Sequence, residues 1–242
     1  MLSILELYFY RSKQEKFSKG KKEDISWYLI HTIVSPFINS SLVFLIGKYI
    51  SFGLSLHGVG LDLISYGITI SVLSLVIFQD FVSYWSHRFM HRVDSLWGIH
   101  KVHHTTTELN VLSSFRHSIF ENIVNVTIVG SLSGLIIVSD SVRGAVGIFF
   151  SLLCLFQHGN ISIVFPRWFR EVFITPRNHF WHHSKETYFK GGQNFGFLLC
   201  IWDKVFGTYY FPDHINTELG VDDESDIPKE FYKKLLYPIL KE

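Results

Sequence analysis

Cysteine is nearly absent from this chain: its 242 residues hold only Cys154 and Cys200, each inside an apolar run. That excludes a disulfide framework and a thiolate metal cage, so any metal must be held by nitrogen or oxygen. Charge is scarce and balanced, at 18% of residues with a formal net of +1. No basic surface is concentrated beside stacking aromatics, which excludes a nucleic-acid partner. The order of a cleavable signal peptide is missing, because the basic stretch at 11–22 follows the apolar start, and no cleavage is expected. His-Glu-x-x-His, the signature of a zinc hydrolase, does not occur, and Glu108 and Glu186 are the acids nearest the histidine clusters. Apolar residues are plentiful instead, at 48% with 17% aromatic, as are histidines, thirteen in all.

The apolar residues fall into runs long enough to cross a bilayer. The first, at about 27–50, is interrupted by His31, Pro36, Asn39 and Lys48; the second, at about 61–79, continues as a helix through Trp85 to His91. Two more, at about 119–138 and 144–157, are joined by a Ser139-Asp140-Ser141 turn, and the last is short enough to be partly re-entrant. Arg11, Lys13, Lys16, Lys19, Lys21 and Lys22 precede the first run, while 51–60 holds no Lys or Arg. The positive-inside rule then puts the N-terminus in the cytoplasm, with 85–117 and 158–242 on the same side. The expected fold is all-α: a basic cytoplasmic segment at 1–26, then one membrane domain at 27–242. Four transmembrane helices in two hairpins carry a cytoplasmic helical cap. Three Asn-x-Ser/Thr sites, at Asn39, Asn125 and Asn160, should carry no glycan in this topology.

The histidines cluster within that cap. His87-x-x-x-His91, His100-x-x-His103-His104 and His179-x-x-His182-His183 have the spacing that puts imidazoles together on one helical face, and His158 stands alone. Asp80 and Tyr84 share the stripe of His87 and His91. Eight such histidines, or nine with His158, exceed what one tetrahedral zinc can use, so two ions are implied. A membrane metal carrier would place its ligands near the bilayer midplane, which these do not do. His31, His57 and His214 match no cluster and are expected to be structural or solvated.

In this order the clusters resemble the three histidine boxes of the fatty acid hydroxylase and sterol desaturase superfamily of integral-membrane di-iron enzymes. Asp80-Phe81, Tyr84-Trp85, His87-Arg88, Gln157-His158, Asn194-Phe195-Gly196, Trp202-Asp203, Phe206-Gly207-Thr208 and the ending at 231–238 are similar to family signatures, so the likeness covers about 60–240, with the box region at 80–208. The layout around His103-His104-Thr105 and 176–208 is closest to bacterial sterol-desaturase-like and alkylglycerol-monooxygenase-like members. The resemblance implies that His87, His91, His100, His103, His104, His179, His182 and His183 bind two iron ions, with His158 a further ligand and zinc a possible substitute on isolation. Some members place a second histidine four residues after the equivalent of His158; here Ser162 stands there, and His117 could fill the gap. Asp80, Asn194 and Asp203 are candidates to orient imidazole N–H groups, or else serve as caps and loop contacts. The reaction implied is dioxygen-dependent hydroxylation of a lipid C–H bond, with desaturation as the alternative. Electrons would come from a separate donor protein or from a pterin. Trp85, Trp97, Trp168, Trp181 and Trp202 are expected near the membrane interface.

Overall fold

A computed structural model of the chain describes residues 6–11, 18–38, 49, 53, 58–188, 191–214 and 218–240. It is mostly helical. Helix α1, Lys19–Ile38, starts before the first apolar run. Asp24, Trp27 and His31 lie on its buried face, at helical spacing. Trp27 packs with Val102, Ile227 and Tyr237 in one core cluster, and Asp24 receives the Arg116 guanidinium at 2.7 Å. The rest of the expected first span, with Asn39, Lys48 and most of 39–57, lies outside the described residues, as do Lys13, Lys16 and His57.

The second span is shifted from the expected start. Residues Leu61–Asp62 form strand β1, a turn of 3-10 helix follows at Ile64–Tyr66, and helix α2 runs from Ile68–Arg92. Gly67 at φ 88 makes the corner before α2. Val93, in extended conformation, ends α2 and lets α3, Asp94–His104, fold back. A 3-10 turn at Val111–Phe115 leads to α4, Ile119–Ser133, capped by the Ser118 hydroxyl. The expected third span therefore stops short: Gly134 follows α4, and the β-branched pair Ile136–Ile137 forms strand β2, parallel to β1, with Leu61 opposite Ile136. Helix α5, Asp140–His158, begins earlier than expected because Ser139 caps it. Arg143 closes the α4–α5 hairpin by donating to the carbonyls of Ser133 at 3.2 Å and Ile136 at 2.8 Å. Short helices complete the chain: α6, Arg167–Arg170; α7, Pro176–His182; α8, Lys185–Tyr188; α9, Ile201–Val205; and α10, Phe231–Leu235.

Among the described residues two helices, α2 and α5, are long and apolar enough to cross a membrane, and α4 is apolar but shorter. At 1.5 Å per residue they measure about 37, 28 and 22 Å. The inner faces of α2 and α5 meet in a core of Leu75, Val142, Val146 and Phe150, joined by Leu63 and Ile136. Ile70, Leu73 and Ile77 on α2 and Ile148, Phe149 and Leu152 on α5 face outward. An apolar outer face on a long helix is the composition of a wall that meets lipid.

Candidate metal centre

Four elements carry nine histidines to one end of this bundle. The last turns of α2 present His87 and His91 one turn apart. The bend at Val93 returns α3 so that His100 and His104 approach His91, with ring centroids 4.9 and 4.7 Å away. His158 is the final residue of α5. Helix α7 starts on a capping box, Thr175 with Asn178, and Pro176 at its first position, which sets His179, His182 and His183 in the next turn.

The rings sort into two groups. His87, His91, His100, His104 and His182 offer nitrogens that all lie within 4.8 Å of one another, as do those of His103, His158, His179 and His183. Each His-x-x-His-His box is thus divided. Its outer pair, one helical turn apart, shares a group, while the middle histidine faces the other group.

The hydrogen bonds set the tautomers. Nδ1 of His103 donates to the Arg116 carbonyl at 3.1 Å and Nδ1 of His158 to the Cys154 carbonyl at 2.9 Å. A carbonyl only accepts, so both Nδ1 atoms carry hydrogen and, in neutral rings, both Nε2 atoms present lone pairs. Those two Nε2 atoms face each other at 3.1 Å. His158 and His179 repeat the approach at 3.0 Å, and His179 and His183 at 3.1 Å. Facing lone pairs repel unless a cation lies between them. A proton could serve one pair; four converging nitrogens fit a metal ion. In the other group, Nε2 of His91 and Nε2 of His182 are buried with no partner, and His87 and His182 use Nδ1 on the carbonyls of Phe195 at 3.2 Å and Gln193 at 2.8 Å.

Electrostatics point the same way. Burial pushes the His100 imidazolium down to about 3, and burial reinforced by neighbouring rings holds His103, His104, His179, His182 and His183 well below the usual histidine range. These six are neutral at pH 7, the form that coordinates metal.

All nine rings lie inside residues 72–208, the part of the chain matched by the fatty acid hydroxylase family. The chain belongs to the fatty acid hydroxylase family. Its relatives include the ornithine lipid hydroxylase of Rhizobium tropici, 30% identical over 168 residues, 69% of this chain and 49% of the relative. The human alkylglycerol monooxygenase is 31% identical over 130 residues, 54% of this chain and 28% of the relative; that of Caenorhabditis elegans is 27% identical over 140 residues, 57% and 27%. The chain therefore spans about half, or less, of the length of these curated relatives. No solved structure matches.

Of the two roles the sequence leaves open for Asp80, Asn194 and Asp203, orienting imidazoles or making caps and loop contacts, the structure shows the loop contacts. Asp80 accepts from Leu198 N at 2.7 Å, Leu199 N at 3.1 Å and the Trp202 indole at 2.8 Å. Asp203 accepts from Phe195 N and Gly196 N, both at 2.8 Å, and from the Thr208 hydroxyl. Asn194, at φ 55, donates to the carbonyls of Asn178 and Tyr210. Together they clamp 194–199, and through it the Phe195 carbonyl that holds His87. His117 belongs to neither group: its ring packs on His31 at 4.0 Å, and its carbonyl takes His31 Nε2. Ser162 turns to the Phe9 carbonyl and replaces no ligand. Of the five tryptophans expected at an interface only Trp168 is largely exposed; Trp181 is fully buried.

Glu121 escaped the sequence reading because it lies within an expected span. It is buried on α4, with Oε1 accepting His100 Nδ1 at 2.9 Å and Oε2 without a partner. It also lines a cavity of about 390 Å³ whose floor includes His87, His100, His103, His158 and His179. The cavity runs between α2, α4 and α5. Its lining is mixed: Val126, Val129 and Phe150 are apolar, and Gln79, Ser83, Asn122 and Asn125 are polar. From Glu121 to Val129 the helix rises about 12 Å, enough to hold a stretch of hydrocarbon chain.

Proposed function

We propose that this chain is a membrane-bound di-iron oxygenase that hydroxylates a C–H bond of a lipid, using dioxygen and electrons from a separate donor protein. The observation that carries this reading is the pair of histidine groups, with Nε2 atoms converging, at the floor of a cavity bounded by helices fit to lie in lipid. Five histidines would hold one iron and the four around His103 and His158 the other, which leaves the second set with room for an exogenous ligand. Bound irons would supply the redox chemistry that activates dioxygen against an unactivated carbon.

The chain's own residues do the rest. The carbonyls of Phe195, Arg116, Cys154 and Gln193 and the Glu121 carboxylate fix ring orientation and tautomer. Val126, Val129 and Phe150 bind an acyl or alkyl segment and exclude water; Asn122, Asn125 and Ser83 meet a polar group of the substrate. The substrate is a sterol, fatty acyl or alkyl lipid. The relatives' names, a lipid hydroxylase and a monooxygenase, favour hydroxylation over desaturation. In this reading the chain crosses the bilayer four times, through the first apolar run at about 27–50, α2, the α4–β2 segment and α5, with the site on the cytoplasmic side.

A zinc hydrolase keeps one supporting observation. Glu121 beside His100 is the carboxylate that such an enzyme needs, whereas Glu108 bonds to Ser18 and Glu186 to Tyr210 and His214, outside both histidine groups. Metal analysis of purified protein with labelled dioxygen decides. About two irons per chain and ¹⁸O in a lipid alcohol support the oxygenase. One zinc and oxygen-independent turnover would refute it.

A further inference from the structure

Away from the histidines, between the end of α5 and the start of α7, three arginines line one cavity of about 90 Å³: Arg11, Arg170 and Arg177. The fold brings them from distant parts of the chain. Tyr10 bridges to Ile161 as an isolated antiparallel pair, and Arg11 donates to the Ile161 carbonyl at 3.0 Å. Arg170 and Arg177 both stack on the ring of Phe211, at 5.0 and 4.6 Å, and Arg177 is further held by the Pro212 and Asp213 carbonyls.

Their positive charge is only partly compensated: the Asp213 carboxylate acts on Arg177, and Arg170 acts on Glu171. Among the described residues none of the three makes an ion pair: Glu171, next to Arg170, is engaged at 2.6 Å by Lys204, and Asp213 offers Arg177 its carbonyl. The Nε groups of Arg170 and Arg177 are buried without a partner. Burial, with Arg177 alongside, pushes the Arg11 guanidinium down to about 10, and burial with Arg170 alongside lowers that of Arg177. The three side chains are half-buried, and like charges held together there, with buried N–H donors left over, are costly unless an anion joins them. Three guanidinium groups from separate segments suit an anion with three peripheral oxygens better than a planar carboxylate with two.

The surroundings indicate where such an anion comes from. Ile163 and Val164 line the same cavity, and Val164 is 91% exposed. Trp168, 67% exposed, stands beside Arg167 on α6, directly after the end of the apolar helix α5. Exposed Val, Ile and Trp next to arginines at the end of an apolar helix is the composition of a headgroup-level surface.

We propose that Arg11, Arg170 and Arg177 form a binding site for a phosphate group, presented by the headgroup of an anionic phospholipid at the membrane face where α5 ends. The phosphate chemistry stands on the arginines alone; the lipid source rests on the membrane reading above. The site shares no lining residue with the histidine cavity and is a separate pocket.

The test uses the full chain purified in detergent, titrated in parallel with short-chain phosphatidylglycerol, short-chain phosphatidylcholine and inorganic phosphate, with binding read by native mass spectrometry and thermal shift. Saturable binding of phosphatidylglycerol is expected. Arg170→Gln, which removes no backbone contact described above, should weaken it about tenfold, the scale of one charge-assisted hydrogen bond. Lys229→Gln, the same charge change at an exposed residue that lines neither cavity, should leave it unchanged, and iron content should be the same in all variants. Inorganic phosphate binding as tightly as the lipid would overturn the lipid source and assign the site to soluble phosphate. Phosphatidylcholine binding as tightly as phosphatidylglycerol would overturn the anionic headgroup, and phosphatidylglycerol binding that ignores Arg170→Gln, or no saturable binding of any of the three probes, would overturn the site. Loss of iron with lipid binding intact would instead count against the oxygenase reading alone.

Discussion

His103 and His182 occupy the same relative place in their two boxes and serve opposite groups, so their removal should not be equivalent. His103→Ala reduces the four-member group to three, while His182→Ala leaves the five-member group with four. The expected outcome is loss of about one ion per chain in His103→Ala and a weaker, affinity-level loss in His182→Ala, read by metal analysis after dialysis. Equal losses would contradict the division of the boxes. Glu121 adds a second prediction at this scale. Glu121→Gln retains an acceptor for His100 Nδ1, whereas Glu121→Ala leaves that N–H buried and unpaired. Metal affinity should fall roughly 10–100-fold in the alanine variant and change little in the glutamine one, measured by chelator competition.

The elements hold the site through backbone groups more than through side chains. Asp203 never touches an imidazole, yet its two oxygens hold the amides of Phe195 and Gly196, and the Phe195 carbonyl holds His87. Asp203→Ala strands both amides, at a cost of about 1–3 kcal/mol for each buried donor left unpaired. The melting temperature should drop and metal content should fall with it, although no ligand has been altered. A drop in stability with full metal retention would show that 194–199 does not position His87. At this scale the helix periodicity around His87 and His91 was legible in the sequence, because i,i+4 spacing is a local property. The α4 boundary was not: an apolar run through 138 hides the exchange of helix for strand at Gly134, which depends on Leu61 pairing with Ile136 from far away.

For the whole molecule, pH and membrane topology give the remaining tests. The folded-state pKa values of His100 and its five cap neighbours lie below the unfolded value of 6.5. Below about pH 6.5 the unfolded chain takes up protons that the fold refuses, so stability of the metal-free protein should fall as pH drops from there toward about 3, the His100 value. Above pH 6.5 these groups contribute no pH dependence. Unfolding in detergent across that range, after chelation, checks the sign; a melting temperature that rises on acidification would be inconsistent with six buried neutral imidazoles. In cells with glycosylation machinery, Asn125 and Asn160 should stay unmodified, Asn125 lining the cavity and Asn160 lying buried just beyond α5. A glycan at either site would invert the proposed orientation.

Residue types and short spacings were enough to indicate nitrogen ligands, nine candidate histidines, apolar helices and the family. These are consequences of chemistry within a few turns of chain, which linear order preserves. Which histidine joins which group, the carboxylate on His100, the carbonyls that set the tautomers, the cavity between α2, α4 and α5, and the meeting of three arginines came only with the folded chain. Backbone carbonyls have no identity in a sequence, and contacts between residues a hundred positions apart depend on how the helices pack, a property that no local pattern encodes.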